Sequence, residues 1–143
     1  MSRTFDLADR LIYYVLTYLV KYGSTSVNDL RVAVKKDMKF NSWEKVFYEK
    51  SRMRRWERMM LSFSIDLTKA GWITKKRKIW EITSVGREAL LELKTPTKLR
   101  IEAKRLFDVW NAIPREELLR RKAEIKYLKL AVIKVQKKRK PRA

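Results

Sequence analysis

Two clusters of cationic side chains have the composition of a phosphate-binding surface. The first lies in a segment with apolar residues at helical spacing and comprises Arg52, Arg54, Arg55 and Arg58. The second is the uninterrupted run Lys75, Lys76, Arg77 and Lys78. Both cation types bind phosphate oxygens, and arginine also forms paired hydrogen bonds with the edge of guanine. Either cluster could equally be a solvated surface without a ligand. The position of each cluster in the fold has to distinguish these two interpretations.

The net charge of the whole chain also indicates an anionic ligand. The 143 residues include 36 Lys and Arg against 16 Asp and Glu, a formal charge of +20. This excess favours a polyanionic partner, namely DNA, RNA or an anionic membrane surface. The excess grows toward the C-terminus, where a last basic tract could be a further phosphate-binding arm or the start of a linker. We include three of its residues as candidate DNA contacts, Lys137, Lys138 and Arg139.

Two residue types that carry much of enzyme catalysis are missing. The sequence has no Cys and no His, which excludes thiolate or imidazole zinc sites, disulfides, a cysteine nucleophile and a histidine base. Asp108 followed by Glu124 and Lys126 loosely imitates a magnesium-dependent nuclease motif, but both parts fall in predicted helices and that chemistry normally lies on strands. With Gly at only 3 positions, a glycine-rich phosphate loop is also lacking. We therefore expect no enzymatic activity, cofactor or metal.

Apolar periodicity predicts helices over about residues 5–22, 27–37 and 51–70. Residues 38–50 fit either a short helix or a loop. In the third helix, Trp56 is in phase with Met60 and is therefore expected in the core. Gly71 marks the end of this helix, because glycine adopts the left-handed conformation without steric cost.

The next segment alternates apolar and polar residues around the four cations, so residues 72–83 are predicted to form a β-hairpin with a basic tip. Further helices are expected over about 85–94, over 98–112 and from Pro114 onward. Three helices followed by a hairpin is the plan of a winged helix-turn-helix, in which the third helix enters the major groove and the hairpin, or wing, contacts the adjacent backbone. The expected fold is thus mainly α, with a two-stranded β wing and a C-terminal helical extension. We expect a winged-helix domain over 1–94 and the extension, with its basic tail, over 95–143.

The C-terminal helix carries an apolar repeat of about seven residues that could pair two copies of the chain. Leu118, Ile125 and Val132 recur every seven residues, and Leu128 belongs to a second row beside them. One interpretation is a homodimeric coiled coil, and the other is packing of this helix onto the first helix of the same chain. The sequence leaves both open.

The most apolar stretch, Leu11–Val20, is far shorter than the roughly 20 residues that span a bilayer. We interpret it as a core helix and not as a signal peptide. The absence of Cys fits the cytoplasm, and a DNA-bound protein there would be associated with the nucleoid.

Three short motifs carry a family resemblance. They are RWER at 55–58, LTKAGWI at 67–73 and WEITSVGR at 80–87. Together they resemble the N-terminal winged-helix domain of the Mrr family of restriction proteins, over about residues 5–93. The resemblance implies a domain that delivers a nuclease to DNA, in some relatives to modified DNA. No part of the sequence resembles the family's nuclease domain, which leaves open a free-standing DNA binder or a portion of a larger protein. The family's wing usually has an Arg-Gly turn, where this chain has Lys76-Arg77-Lys78.

The sequence is thus interpreted as a double-stranded DNA-binding module, the targeting part of a restriction system. A free-standing dimeric regulator similar to the PadR architecture is the nearest alternative. Two further alternatives are a basic ribonucleoprotein component that binds RNA and an adaptor that binds another protein.

Overall fold

A computed structural model describes residues 2–114, 116–117, 119–124 and 126. The chain divides into a compact unit that ends at Trp110 and a second unit that begins at Asn111. In the second unit, the described residues between 116 and 126 are helical, and Arg121 pairs with Glu117 at 2.8 Å.

Helix α1, Arg3–Tyr22, supplies the largest share of the core. Its N-terminus is capped by Ser2, whose hydroxyl accepts from the amide of Phe5, and Gly23 ends it at a positive φ of 77°. Apolar residues at helical spacing give it one continuous buried face. That face consists of Leu7, Ala8, Leu11, Ile12, Val15, Leu16 and Leu19, each at most 2% exposed.

Helices α2, Val27–Asp37, and α3, Arg55–Lys69, follow α1. The apolar residues of α3 that are buried are Trp56, Met60 and Leu67, so the expected core position of Trp56 is confirmed. Phe40 stacks on the Trp56 ring at 5.0 Å with an interplanar angle of 7°. Helix α3 packs directly against α1.

The segment between α2 and α3 contains a hairpin that the sequence did not predict. Strands β2, Phe47–Tyr48, and β3, Met53–Arg54, pair antiparallel. Consequently α3 begins at Arg55, four residues later than expected. The reason is that carbonyl groups of the preceding loop bind its first free amides: Arg55 N donates to Val46 O at 2.8 Å and Trp56 N to Glu44 O at 3.1 Å. The carboxylate of Glu57 accepts from the amide of Arg54 at 3.0 Å and fixes the same boundary.

The wing is the outer part of a three-stranded antiparallel sheet. Strand β1, Thr25–Ser26, pairs with β5, Ile79–Ile82, which pairs with β4, Ile73–Lys76. Sequence periodicity predicted β4 and β5 but not β1, because two residues are too few to show an alternation. Trp72, Ile73 and Trp80 are buried, which places the base of the wing in the core.

Helices α4, Ser84–Leu93, and α5, Pro96–Asn111, close the unit. Thr83 caps α4 with its hydroxyl, and proline at the first position of α5 needs no amide partner. Leu99 and Ala103 of α5 are fully buried, and Asp9 of α1 accepts from the guanidinium of Arg100 at 2.5 Å. The compact unit therefore runs to Trp110 and not only to residue 94, because α5 contributes to its core.

Three helices, a strand that joins the wing sheet, and a hairpin after the third helix constitute a winged-helix fold. The expected class, mainly helical with a small antiparallel sheet, is confirmed.

Helix α4 approaches the base of the wing closely at Gly86. A Cβ atom there would lie 2.3 Å from the Trp72 carbonyl oxygen and 2.8 Å from Ile82 Cγ1. Glycine is therefore required where α4 crosses the base of the wing.

We predict that Gly86→Ala lowers the free energy of unfolding by about 1–3 kcal/mol, because the added methyl group overpacks the site. At an unconstrained helical position the same change would raise stability by roughly 0.5–1 kcal/mol. Urea denaturation followed by circular dichroism measures the difference, with Glu88→Ala on the exposed side of α4 as control. A Gly86→Ala variant as stable as the parent would contradict the close approach.

Candidate nucleic-acid interface

The wing turn is built from two cations in an unfavourable backbone conformation. Arg77 and Lys78 join β4 to β5 and have φ values of 53° and 66°. A two-residue hairpin turn with both φ angles positive is of type I′, which favours Asn-Gly and similar pairs because a Cβ atom is strained there. Backbone strain of this kind tends to persist where side chains have a function that glycine cannot provide.

Lys75 connects the wing to α3. Its ammonium group donates to the hydroxyl of Ser64, a buried residue of α3, and lies 4.8 Å from the centre of the Trp80 ring. Partial burial lowers the pKa of Lys75 below its usual value. The wing therefore runs alongside α3, and Lys75 is committed to holding it there and is not a free cation of the tip.

The remaining wing cations are available to a ligand. Lys76, Arg77 and Lys78 are exposed. Within residues 2–114, none of the three forms an ion pair with an acidic side chain. The tip is also fixed to α2, since Val27 N donates to Lys78 O at 2.8 Å. The wing thus presents uncompensated positive charge beside both α2 and α3.

The four predicted arginines prove to have different environments. Arg52 and Arg54 lie on the β2–β3 hairpin and not on α3, because the helix begins at Arg55. Arg52 is exposed at the hairpin turn with a positive φ of 54°. Arg54 is exposed too, and its guanidinium donates to Lys45 O at 2.7 Å. The prediction that both residues lie on α3 is therefore wrong. Both charges are nevertheless at the surface, just before the start of that helix.

Arg55 holds the hairpin in place. It is half-buried, and it donates from Nε to the Tyr48 hydroxyl at 2.8 Å and from Nη1 to Trp43 O at 3.0 Å. Its guanidinium also lies 4.2 Å from the centre of the Trp43 ring. These partners engage two of its N–H donors and one face of its guanidinium, so Arg55 acts as a brace between α3 and the preceding loop.

Arg58, one turn further along α3, is exposed. Its guanidinium lies 4.7 Å from the centre of the Tyr48 ring, and it has no acidic partner among the described residues of the first unit. Of the four arginines, it is the one that α3 itself presents to solvent.

One positively charged feature was missed by the sequence analysis. A cavity of about 660 Å3 lies between the end of α2 and the base of the β2–β3 hairpin. It is lined by Lys35, Met38, Lys39, Phe40, Lys45, Arg54 and Trp56. The cations at the end of α2 were visible in the sequence, but only the tertiary structure brings them beside Arg54. They extend the basic surface from the start of α3 toward α2.

Several predicted residues lie outside the part of the chain that the structure describes. These are the tail cations Lys137, Lys138 and Arg139 and the four residues of the apolar repeat, Leu118, Ile125, Leu128 and Val132. The tail contacts and the dimer stay predictions.

The described residues contain neither a cluster of metal-ligating side chains nor a helix that could span a membrane. No group of three or more acidic side chains is placed to hold a metal ion, and Asp108 pairs with Lys104 at 3.2 Å. No helix in this part of the chain is both long and apolar enough to cross a bilayer.

The fold and the position of the wing define a winged-helix domain. The model of the Mrr N-terminal domain family matches residues 9–92. The chain therefore belongs to the Mrr N-terminal domain family, and the resemblance indicated by its motifs is confirmed. Membership of this family associates the chain with Mrr-type restriction proteins. Comparison with curated proteins and with solved structures gave no match.

We predict that Arg55→Ala lowers the free energy of unfolding by about 2 kcal/mol, because it removes two hydrogen bonds and a cation–π contact. Arg58→Ala is the matched control and should change stability by no more than about 0.5 kcal/mol. Chemical denaturation of both variants tests this. Equal stabilities would show that Arg55 is not a brace.

We also predict that Lys78→Gly raises the free energy of unfolding by about 1 kcal/mol, because glycine adopts the positive φ without strain. Lys76→Gly removes the same charge from a strand position and should lower stability by roughly 0.5–1 kcal/mol. Opposite signs in thermal or urea denaturation support the type I′ turn. A loss of stability in Lys78→Gly would argue against it.

Proposed function

We propose that this domain binds double-stranded DNA through the surface formed by the wing, the exposed side of α3 and the basic residues before α3. In a restriction system it would act as the targeting part and carry no catalysis of its own. The observation that carries the proposal is the placement of the uncompensated wing cations alongside α3, where Lys75 contacts Ser64.

Electrostatics supports a polyanionic ligand. Cations that lie close together repel one another, and the repulsion is relieved when phosphates neutralise them. The wing tip combines this repulsion with backbone strain at Arg77 and Lys78. Both features disfavour the folded state, so a ligand-binding role is the simplest reason for retaining them.

Geometry supports duplex DNA in particular. In winged helices that bind DNA, the third helix enters the major groove and the wing contacts the neighbouring backbone. Here Arg58 faces solvent on α3, and strand β4 of the wing runs alongside the same helix, where Lys75 contacts Ser64. The family association with restriction proteins is in accord with a DNA ligand. A protein bound to DNA in this way would be found with the nucleoid.

The proposal predicts how affinity depends on salt. Each phosphate contact contributes about 0.9 to the slope of log K against log salt concentration. Replacing Lys76, Arg77 and Lys78 together by alanine should therefore reduce the slope by up to about 2.7. Fluorescence anisotropy with a labelled duplex at several salt concentrations measures the slope. The control replaces three other exposed cations and changes the net charge equally. They are Arg87 on α4, Lys94 at the C-terminal cap of α4 and Lys98 on α5.

The control variant should keep most of the parent slope, because the same charge is removed away from the proposed surface. Identical slopes for the wing variant and the parent would refute the role of the wing.

The same titration with duplex RNA and with methylated DNA of the same sequence distinguishes the alternative ligands. Tighter binding to RNA would replace the proposal with the ribonucleoprotein alternative, and a symmetric footprint over two half-sites would favour the dimeric regulator.

A further inference from the structure

The β2–β3 hairpin occupies the position where a shorter turn would connect α2 to α3. Its base is joined to the start of α3, since the carbonyl groups of Glu44 and Val46 accept from the first two amides of that helix. The hairpin therefore lies at the end of α3 that a winged helix directs toward DNA.

Several side chains hold this segment rigidly. Arg55 binds Tyr48 and the Trp43 carbonyl, and Arg54 binds the Lys45 carbonyl. Behind the hairpin, the carboxylate of Glu44 is buried at 3% exposure and pairs with Arg10 of α1. A hairpin supported in this way has little freedom to fold its exposed side chains inward.

Two of those exposed side chains are apolar. Val46 is 39% and Phe47 49% exposed, and the guanidinium of Arg54 lies 5.7 Å from the centre of the Phe47 ring. Single exposed apolar residues are common, but this pair lies on a braced hairpin among several cations. The cations of the segment are Lys45, Lys50, Arg52 and Arg54, with Glu49 as the acid of the hairpin turn.

Apolar groups surrounded by cations complement the chemistry of a duplex. Phosphates line the outside of each groove, while base edges and sugar carbons inside it offer apolar contacts. An acidic protein partner would match the same cations and apolar groups. The position of the hairpin favours the duplex, because it lies at the end of α3 that a winged helix directs toward DNA.

We propose that the hairpin from Val46 to Arg54 is a second wing, with Phe47 and Val46 in contact with the apolar parts of the DNA while Arg52 and Arg54 contact phosphates. The inference rests on the proposed function, because it assumes the same duplex ligand. It adds a third contact element to α3 and the β4–β5 wing, and it assigns Phe47 a recognition role that charge alone does not indicate.

The test compares Phe47→Ala with Phe5→Ala in the full chain. Phe5 is the matched control, because it is also 49% exposed but lies on α1 near α5, where it contacts Arg100. We expect Phe47→Ala to weaken duplex binding by about tenfold at every salt concentration, since an apolar contact worth about 1.4 kcal/mol is lost. The salt slope should stay at the parent value, because no phosphate contact is removed. Phe5→Ala should bind like the parent.

The outcomes separate the two proposals. A parent protein that fails to bind any duplex would overturn both the second wing and the proposed function. Normal parent binding with Phe47→Ala within twofold of it, while circular dichroism shows an intact fold, would overturn the second wing alone. A changed salt slope in Phe47→Ala would also overturn it, because the loss would then come from displaced Arg54 and not from the apolar contact.

Discussion

The buried face of α1 is the constraint on which the rest of the molecule depends. Its seven apolar residues contribute one side of a core to which α3, the wing sheet and α5 each add residues. Because all of these elements pack around one helix, their relative positions are fixed together. When the apolar sides of these elements pack together in the core, their basic sides are left at the surface. The position of the basic surface therefore follows from the packing of the core.

Within this frame, the positive charges fall into two groups with different partners. Some cations are neutralised inside the fold, such as Arg10 by Glu44 and Arg100 by Asp9, and these connect α1 to the loop before α3 and to α5. Others, such as Arg58 and Arg77, have no acidic partner among the described residues of the first unit. This division matters more than the net charge, because only uncompensated cations gain from binding an anion.

The wing turn departs from the residue preference of its turn type. Turns of type I′ favour glycine, whereas Arg77 and Lys78 adopt positive φ here without one. The backbone thus keeps the hairpin geometry while the side chains add charge, at a cost in strain of about 1–2 kcal/mol per residue. The fold tolerates this because β5 is paired on both sides, by β1 and by β4.

The sequence by itself determined the elements with strong periodicity. The apolar repeat of α1, Gly71 after α3 and the alternation around the four cations each depend on neighbours close in the chain, so local reasoning recovered α1, the end of α3 and the wing. The motifs also identified the family. What local reasoning could not supply was the start of α3. That boundary depends on hydrogen bonds that the carbonyl groups of Val46 and Glu44 accept from the amides of Arg55 and Trp56. These partners lie nine and twelve residues apart in the chain, and no periodic pattern links them.

Only the tertiary structure decided the roles of the individual cations. In the sequence Arg55 and Arg58 are equivalent members of one cluster, and Lys75 and Lys76 are equivalent members of another. The fold turns Arg55 toward Tyr48 and Trp43, and it turns Lys75 toward Ser64. By contrast, Arg58 and Lys76 face solvent. The physical reason is that a side chain's partners come from elements distant in the chain, so composition fixes how much charge the protein has and packing fixes which charges are free.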